Sequence, residues 1–347
     1  MALQNLPPVA IEYAAVQRRE NAAAVAAVRR LWLRVGDDFT PGFLNVAPQI
    51  FEVMNTAQVR ISENAQAFIP QILAATDQAK SDRPTFDVKA TAFMGVAGDG
   101  MPTESLAYGA VIRAKDAVGK GSTALQARVA GAKYLSLAVG TMLSDTRRGM
   151  EGLESASRPL TGYVRMLTPP SCGRCVILAG KHFKSRQAFL RHPGCDCVNI
   201  PSAESIAGSM TVNTDSYFGS LSDDELAKAL GSKANAQVYR EFGADSRQLV
   251  NAYRKSGDVR PAQITRSLIV DGKPVLSRLT VKSTIEGITT RSYAYSQMSR
   301  VRALSQTAKQ GGRYRQVTAP RLMPESVLSL GLSRERTAQM LRDFGWI

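Results

Sequence analysis

The sequence predicts a mainly α-helical protein with a helical N-terminal half, a small α+β central domain and an extended basic C-terminal region. Alanine is plentiful and aromatic residues make up only 7% of the 347 residues, which favours helices packed closely through small side chains. Apolar residues recur at three- and four-residue steps in much of the first half. Every cysteine and histidine lies between residues 172 and 197. We therefore divide the chain into residues 1–155, 156–260 and 261–347.

Residues 10–80 contain two helical stripes, that is, two series of apolar residues spaced to lie on one face of a helix. Pro41-Gly42 is predicted to separate them, and Pro48 to lie in the first turn of the second helix, where proline is tolerated. Pro70 is predicted to end the second stripe. The apolar residues of the two stripes are Val25, Val28, Trp32 and Val35, then Ile50, Met54, Ala57, Ile61, Ala65 and Phe68.

A third helical pattern covers residues 103–144, and Gly119 and Gly121 are predicted to split it into two helices. Gly131 and Gly140 indicate close packing of one helix backbone on another. The glycine-rich residues 95–100 lack the lysine and hydroxyl of a phosphate-binding loop, and we expect an ordinary loop there.

The last third mixes helices with a hairpin. Ser222 and Glu225 form a capping box that opens a helix predicted to continue to Gly243, and a shorter helix is predicted over residues 245–253. Asp271-Gly272 between apolar runs predicts a β-hairpin over residues 264–285. Two short helices are predicted at the end, with a docking surface made of Met340, Leu341, Phe344 and Trp346.

The formal net charge of +15 and the pI near 9.9 indicate a polyanionic partner, of which nucleic acid is the usual one. Residues 287–321 contain no acidic residue, and tyrosines are interleaved with the cations. The alternative is a solvated linker whose charges only maintain solubility. The predicted nucleic-acid contacts are Arg291, Arg300, Arg302, Lys309, Arg313 and Arg315, and Arg321 closes the segment.

The N-terminus has no cationic start followed by an apolar core, and no run reaches the roughly 18 apolar residues that a membrane helix needs. We expect a protein made in the cytoplasm, with no membrane partner. In a reducing compartment, clustered cysteines are typical metal ligands rather than disulfides.

The cysteines and histidines have the spacing of a metal site. Cys172-x-x-Cys175 can present two thiolates to one tetrahedral ion, and Gly173 helps that turn to form. His192, Cys195 and Cys197 can supply the other two ligands, so five candidates compete for four places. His182 is predicted to be a packing or supporting residue. The spacing predicts structural zinc and a zinc-stapled central domain, that is, one held together by the ion.

Three alternatives use the same residues. A thioredoxin-like redox site would not need a second cysteine cluster. A cysteine hydrolase could pair Cys172 or Cys175 with a histidine, although a metal would tend to capture its nucleophile. Disulfides would require that the protein works after export.

The cysteine block, from Gly162 to Cys197, resembles the MuF-like phage head morphogenesis domain, in the version found in minor head proteins of tailed phages of actinobacteria. The matching features are Cys-x-x-Cys, Gly180-Lys181 and His-Pro-x-Cys-x-Cys. Further matching segments are Val250-Asn251-Ala252, Arg321 to Glu325, and Leu341 to Ile347. Gly194 and Asp196 depart from the family, because many relatives carry Asn or Arg there.

This resemblance implies a structural virion protein rather than an enzyme. Its relatives are minor head components that associate with the portal inside the capsid, and no catalytic residues transfer with the domain. The implied partners are the portal protein, the capsid interior and packaged DNA, with no small-molecule substrate. A cellular zinc-containing nucleic-acid-binding protein is the alternative.

Overall fold

The computed structural model describes residues 7–159, 162–167, 171–184, 197–203, 213–252, 258–270, 273–289, 292–301, 308–311, 314–317 and 319–347. Only the backbone is described at residues 266–270, 273–275, 308–311 and 314–316. The chain groups into two compact units. The helical unit contains Leu3–Pro169 and Leu178–Val212, and the C-terminal unit contains Met1–Ala2, Pro170–Ile177 and Asn213–Ile347.

In its described residues, the helical unit has four long helices and a small antiparallel sheet. The helices are α1 (Pro8–Trp32), α2 (Phe39–Ala75), α3 (Thr103–Gly119) and α4 (Ala124–Ala156). Short 3₁₀ turns occupy Ala79–Ser81 and Ala90–Phe93. The strands are β1 (Gly162–Met166), β2 (His182–Lys184) and β3 (Val198–Ser202), in the order β2-β1-β3.

The predicted helical stripes form the core of this unit. Val28 and Trp32 of α1 are fully buried, and the Trp32 indole N–H donates to the Arg128 carbonyl of α4 at 2.9 Å. A Cβ at Gly131 would overlap the Trp32 ring and crowd the Ala110 carbonyl oxygen. The close backbone packing predicted at Gly131 is therefore confirmed, as is the split of α3 from α4 after Gly119.

The predicted boundaries of α2 are wrong, because one helix runs through three prolines. Pro41 is its third residue, where the backbone N–H would have no partner within the helix. Pro48 and Pro70 lie inside the helix, at a cost of about 3 kcal/mol each for an interior proline. Burial of the whole apolar stripe, including Ile50 and Phe68, outweighs that cost.

The C-terminal unit combines eight shorter helices with five strands in its described part. The helices are α5 (Gly173–Leu178, the last residue of which belongs to the helical unit), α6 (Thr214–Ser220), α7 (Asp223–Leu230), α8 (Lys233–Phe242), α9 (Ser246–Asn251), α10 (Tyr293–Arg300), α11 (Pro324–Ser329) and α12 (Arg334–Asp343). The strands are β4 (Val259–Val270), β5 (Lys273–Thr284), β6 (Ala308–Gly311), β7 (Tyr314–Val317) and β8 (Arg321–Leu322). They form the sheets β4-β5-β8 and β6-β7.

Local sequence signals explain several of these elements. The predicted capping box is present at Ser222 and Glu225. The single helix predicted up to Gly243 is wrong, because Gly231 adopts a left-handed conformation and divides it into α7 and α8. The predicted hairpin is confirmed as β4–β5, with Val270 opposite Lys273, while its turn residues Asp271-Gly272 lie outside the described residues.

Two predictions for the C-terminal region need correction. The basic region is not simply extended, since it includes helix α10 and the strand pair β6–β7. The predicted docking surface is wrong for Leu341, Phe344 and Trp346, because all three are buried within their own unit. A terminal Trp side chain therefore contributes to the core here.

The described part of the chain is mainly helical with small sheets, as predicted. Within it, we find no helix with the length and apolar character needed to cross a bilayer. The division into residues 1–155, 156–260 and 261–347 stays a prediction.

Candidate metal centre

The Cys172–Cys175 turn holds two sulfur atoms close together. Helix α5 begins at Gly173, directly after Cys172, and the Val176 N–H donates to the Cys172 carbonyl at 3.1 Å. The backbone N–H of Cys175 donates to the Cys172 Sγ at 3.4 Å, which favours negative charge on that sulfur. The turn therefore directs a backbone donor at the Cys172 sulfur.

The distance between the two sulfurs tests which chemistry the turn suits. The Cys172 and Cys175 Sγ atoms are 3.2 Å apart. A disulfide bond between them would require about 2.05 Å. Two thiolates on one tetrahedral zinc ion, each about 2.3 Å from the metal, lie about 3.8 Å apart. The sulfurs are thus separate, and a small adjustment would let both bind one ion.

Gly173 explains how the turn is held in place. A Cβ at this position would overlap the Ala229 carbonyl oxygen of α7 and crowd a Val250 methyl group of α9. The Ser171 N–H donates to the Tyr217 hydroxyl at 3.1 Å, and the Cys175 side chain is only 3% exposed. The turn is therefore packed tightly into the C-terminal unit.

Cys197 lies in the helical unit, where a buried ion pair determines its backbone position. The Arg147 Nη2 donates to the Cys197 carbonyl at 2.5 Å, and Arg147 Nε lies 3.6 Å from the Glu151 carboxylate. That carboxylate accepts from the Asn199 N–H at 3.0 Å and from the Tyr13 hydroxyl at 2.9 Å. Helix α4 thereby fixes the start of strand β3, which follows Cys197 directly.

Burial controls the ionisation of this network. It raises the pKa of the Glu151 carboxyl, while Arg147 and the Asn199 N–H oppose the shift. Burial also raises the pKa of the Tyr13 hydroxyl well above its ordinary value, and the neighbouring Glu151 acts in the same direction. Both groups are inside the helical unit and serve to position the chain.

The five predicted ligands are only partly described. Cys172 and Cys175 belong to the C-terminal unit and Cys197 to the helical unit, while His192 and Cys195 lie outside the described residues. Across the residues that are described, no cluster of three or more His, Cys, Asp or Glu side chains could hold a metal ion. His182 lies on β2, with Nε2 3.3 Å from the Ser202 carbonyl oxygen of β3.

The predicted nucleic-acid contacts are also only partly described. Arg300 is exposed at the end of α10. Lys309 and Arg315 lie on the paired strands β6 and β7, where only the backbone is described. Arg291, Arg302 and Arg313 lie outside the described residues.

Arg321 is not an exposed cation, contrary to its predicted place in the basic segment. It is 0% exposed, and its guanidinium lies 3.7 Å from the centre of the Trp346 ring. Its N–H groups donate to the carbonyls of Glu286, Phe344 and Gly345 and to the Gln248 side chain, at 2.8 to 3.1 Å. Burial lowers its pKa to about 9, and Glu286 and Asp245 oppose the shift.

Comparison with known proteins adds no relative. The chain matches no protein-family model, no curated protein and no solved structure.

Proposed function

We propose that this protein is a non-enzymatic minor head component of a tailed phage, of the MuF-like kind, stabilised by a bound zinc ion. The observation that carries the proposal is the Cys172–Cys175 turn, with its sulfurs 3.2 Å apart and a backbone N–H directed at one of them. Two adjacent thiolates form a good metal-binding pair, because zinc binds thiolate sulfur strongly. A single reactive nucleophile would be captured by the same ion.

The residues of the turn fit structural zinc. Cys172 and Cys175 would hold the ion, and the other two ligands stay as predicted, from among His192, Cys195 and Cys197. When bound, zinc supplies folding free energy to the region that holds it. The chain's part in this arrangement is to orient the sulfurs, which Gly173 does by its close packing on α7.

The packing of the C-terminal unit supports the resemblance to head proteins. Four of the segments that carry the resemblance belong to the C-terminal unit, where they are far apart in sequence yet joined by a connected set of contacts. Gly173 of the cysteine turn lies against Val250, and Gln248 accepts a hydrogen bond from Arg321. Arg321 in turn binds the carbonyls of Phe344 and Gly345. Motifs that a family has in common are expected to lie together in the structure when they build the same core.

The proposed partners are the portal protein and the capsid interior, and the proposed location is the virion at the portal vertex. The net charge of +15 is compatible with a position close to packaged DNA. The same charge favours the second candidate, a cellular zinc-containing nucleic-acid-binding protein. The two candidates differ in the partner that binds the protein at physiological salt, which is the portal protein for the first and DNA for the second.

Metal analysis of the purified full chain tests the zinc proposal. We expect about one zinc per chain, and Cys172→Ser or Cys175→Ser should reduce zinc content at least tenfold and lower the melting temperature. Ser171→Ala is the matched control, because the Ser171 hydroxyl has no hydrogen-bond partner among the described residues. Unchanged melting in both cysteine variants would contradict a structural role for the metal.

Co-expression with the portal protein of the same phage tests the head-protein proposal. We expect the two proteins to co-purify at a fixed ratio at 150 mM salt or above, and the portal gene to lie next to this gene. Retention by free DNA alone, with no portal association, would favour the cellular alternative.

A further inference from the structure

A mostly apolar cleft of about 590 Å³ lies between strand β4 and helix α12 in the C-terminal unit. Its large apolar lining residues are Ile264, Leu322, Leu330, Leu332, Met340 and Phe344. Leu322, Leu330 and Phe344 are buried, whereas Leu332 is 37% exposed and Met340 is half-buried. The cleft therefore has an apolar interior with apolar side chains still accessible to a ligand.

The cleft extends to the outer edge of a strand. In the described part of the chain, β4 pairs with β5 alone and so forms one edge of the sheet β4-β5-β8. Three consecutive residues of β4, Gln263, Ile264 and Thr265, line the cleft. Successive side chains of a strand point to opposite faces of the sheet. A cleft lined by three consecutive residues of β4 therefore reaches the backbone at the edge of that strand. Backbone N–H and C=O groups at a sheet edge can pair with an added strand.

The rim of the cleft carries one exposed cation, Arg336, and one carboxylate, Asp343. Arg336 is exposed, and its guanidinium forms no ion pair with any described residue. Asp343, the acidic residue of the rim, accepts a hydrogen bond from Gln339 at 2.7 Å. A ligand with a carboxylate near an apolar side chain would complement this arrangement.

We propose that the edge of β4 and this cleft bind an extended segment of a partner protein by strand addition. The segment pairs with β4, places a large apolar side chain between Leu332 and Met340, and presents a carboxylate to Arg336. Backbone hydrogen bonds supply affinity in this mode, and pockets for alternate side chains supply specificity. The segment carries a carboxylate for Arg336, and a second copy of this chain, with its net charge of +15, is a poor occupant. The inference does not depend on the proposed phage function.

A library of random nonapeptides, displayed on yeast and selected on the full-length protein, tests the proposal. We expect enrichment of peptides in which apolar residues alternate and an acidic residue follows. The best synthetic peptide is then measured by fluorescence anisotropy. Leu332→Asp and Arg336→Glu should each weaken its binding at least tenfold. Hydrogen exchange should show protection of β4 amides in the complex.

Matched controls separate cleft binding from general effects. Leu276→Asp changes a 73% exposed leucine of β5, and Arg247→Glu changes an exposed arginine of α9. Neither residue lines the cleft. Both should alter binding less than twofold, and N-methylation of alternate peptide nitrogens should abolish it. No enrichment, equal losses in the control variants, or unchanged binding after N-methylation would overturn the proposal. Dimerisation of the free chain that Leu332→Asp abolishes would assign the cleft to a second copy instead.

Discussion

Arg321 is a buried arginine that joins separate segments of the C-terminal unit. It binds carbonyl oxygens of Glu286, Phe344 and Gly345, and its guanidinium stacks on Trp346. A lysine could not reproduce this set, since its point charge lacks the planar fork of five donors. The residue therefore acts as the hydrogen-bonding centre of the C-terminal core.

Replacing Arg321 should lower the free energy of unfolding more than replacing an exposed arginine does. Arg321→Met leaves several buried carbonyls without donors, at about 1–3 kcal/mol each, and we expect a total loss of about 3–5 kcal/mol. Urea unfolding, with tryptophan fluorescence as the probe, measures the loss. Arg342→Met, at an exposed position of α12, should change stability by less than about 0.5 kcal/mol. Similar losses in both variants would contradict the assigned role.

Glu151 should make stability depend on pH in a defined direction. Burial raises its pKa from the ordinary value of 4.5, so the folded state binds its proton more tightly than the unfolded state does. The contribution of Glu151 to the free energy of unfolding is greatest below pH 4.5 and is lost as pH rises through the raised pKa. Glu151→Gln cannot titrate, so the difference in unfolding free energy between wild type and variant should decrease as pH rises.

Urea titrations at several pH values between 4 and 8 measure this difference. The exposed Glu52 provides the matched control, since Glu52→Gln should give a difference that stays constant over the same window. A Glu151→Gln difference that grows with pH would show that Arg147 lowers the pKa more than burial raises it.

At the scale of elements, the cysteine turn depends on its contact with helix α7. Gly173→Ala places a methyl group against the Ala229 carbonyl oxygen, which must move to make room. We expect a loss of about 1–3 kcal/mol, as is usual for an overpacked site. The proposed zinc ion should also be held less tightly, because a displaced turn carries Cys172 and Cys175 away from the other proposed ligands. Thermal unfolding with and without a zinc chelator measures both effects.

Gly219→Ala is the control for the Gly173 substitution. Gly219 lies in α6, and a Cβ there would meet no atom within 4 Å. An alanine should stabilise that helix by about 0.5–1 kcal/mol. Loss of stability at Gly219 comparable to that at Gly173 would remove the steric explanation.

Helix α2 shows how tertiary packing overrides local signals. Prolines at 48 and 70 predict helix boundaries, yet the helix continues because its apolar stripe is buried along the whole length. Gly231 shows the opposite case, where one left-handed residue ends a helix that the apolar pattern would extend. Element types were thus easier to predict than element boundaries.

At the scale of the molecule, the positive charge should govern binding to DNA. We expect the full chain to bind a 30-base-pair duplex with an affinity that falls steeply between 50 and 200 mM salt. Arg300→Gln should reduce the slope of log affinity against log salt by about 1, if Arg300 contacts a phosphate. Arg240→Gln is the control, because Arg240 already pairs with Asp223 at 2.7 Å. Equal slopes for wild type and Arg300→Gln would exclude this arginine from the interface.

The sequence by itself determined the helical character, the hairpin at β4–β5, the close packing at Gly131 and the Cys-x-x-Cys turn. Each of these depends on residues close in sequence or on a periodicity that burial enforces. It did not reveal the buried roles of Arg321 and Trp346 or the Arg147–Glu151 pair that positions Cys197. Apart from the contact between Arg147 and Glu151, the partners of these residues lie 23 or more residues away in the chain. From the sequence alone, a basic side chain is expected to be exposed and a terminal apolar side chain to dock on a partner. Arg321 and Trp346 are buried instead, because the tertiary structure brings distant carbonyl acceptors to their N–H groups.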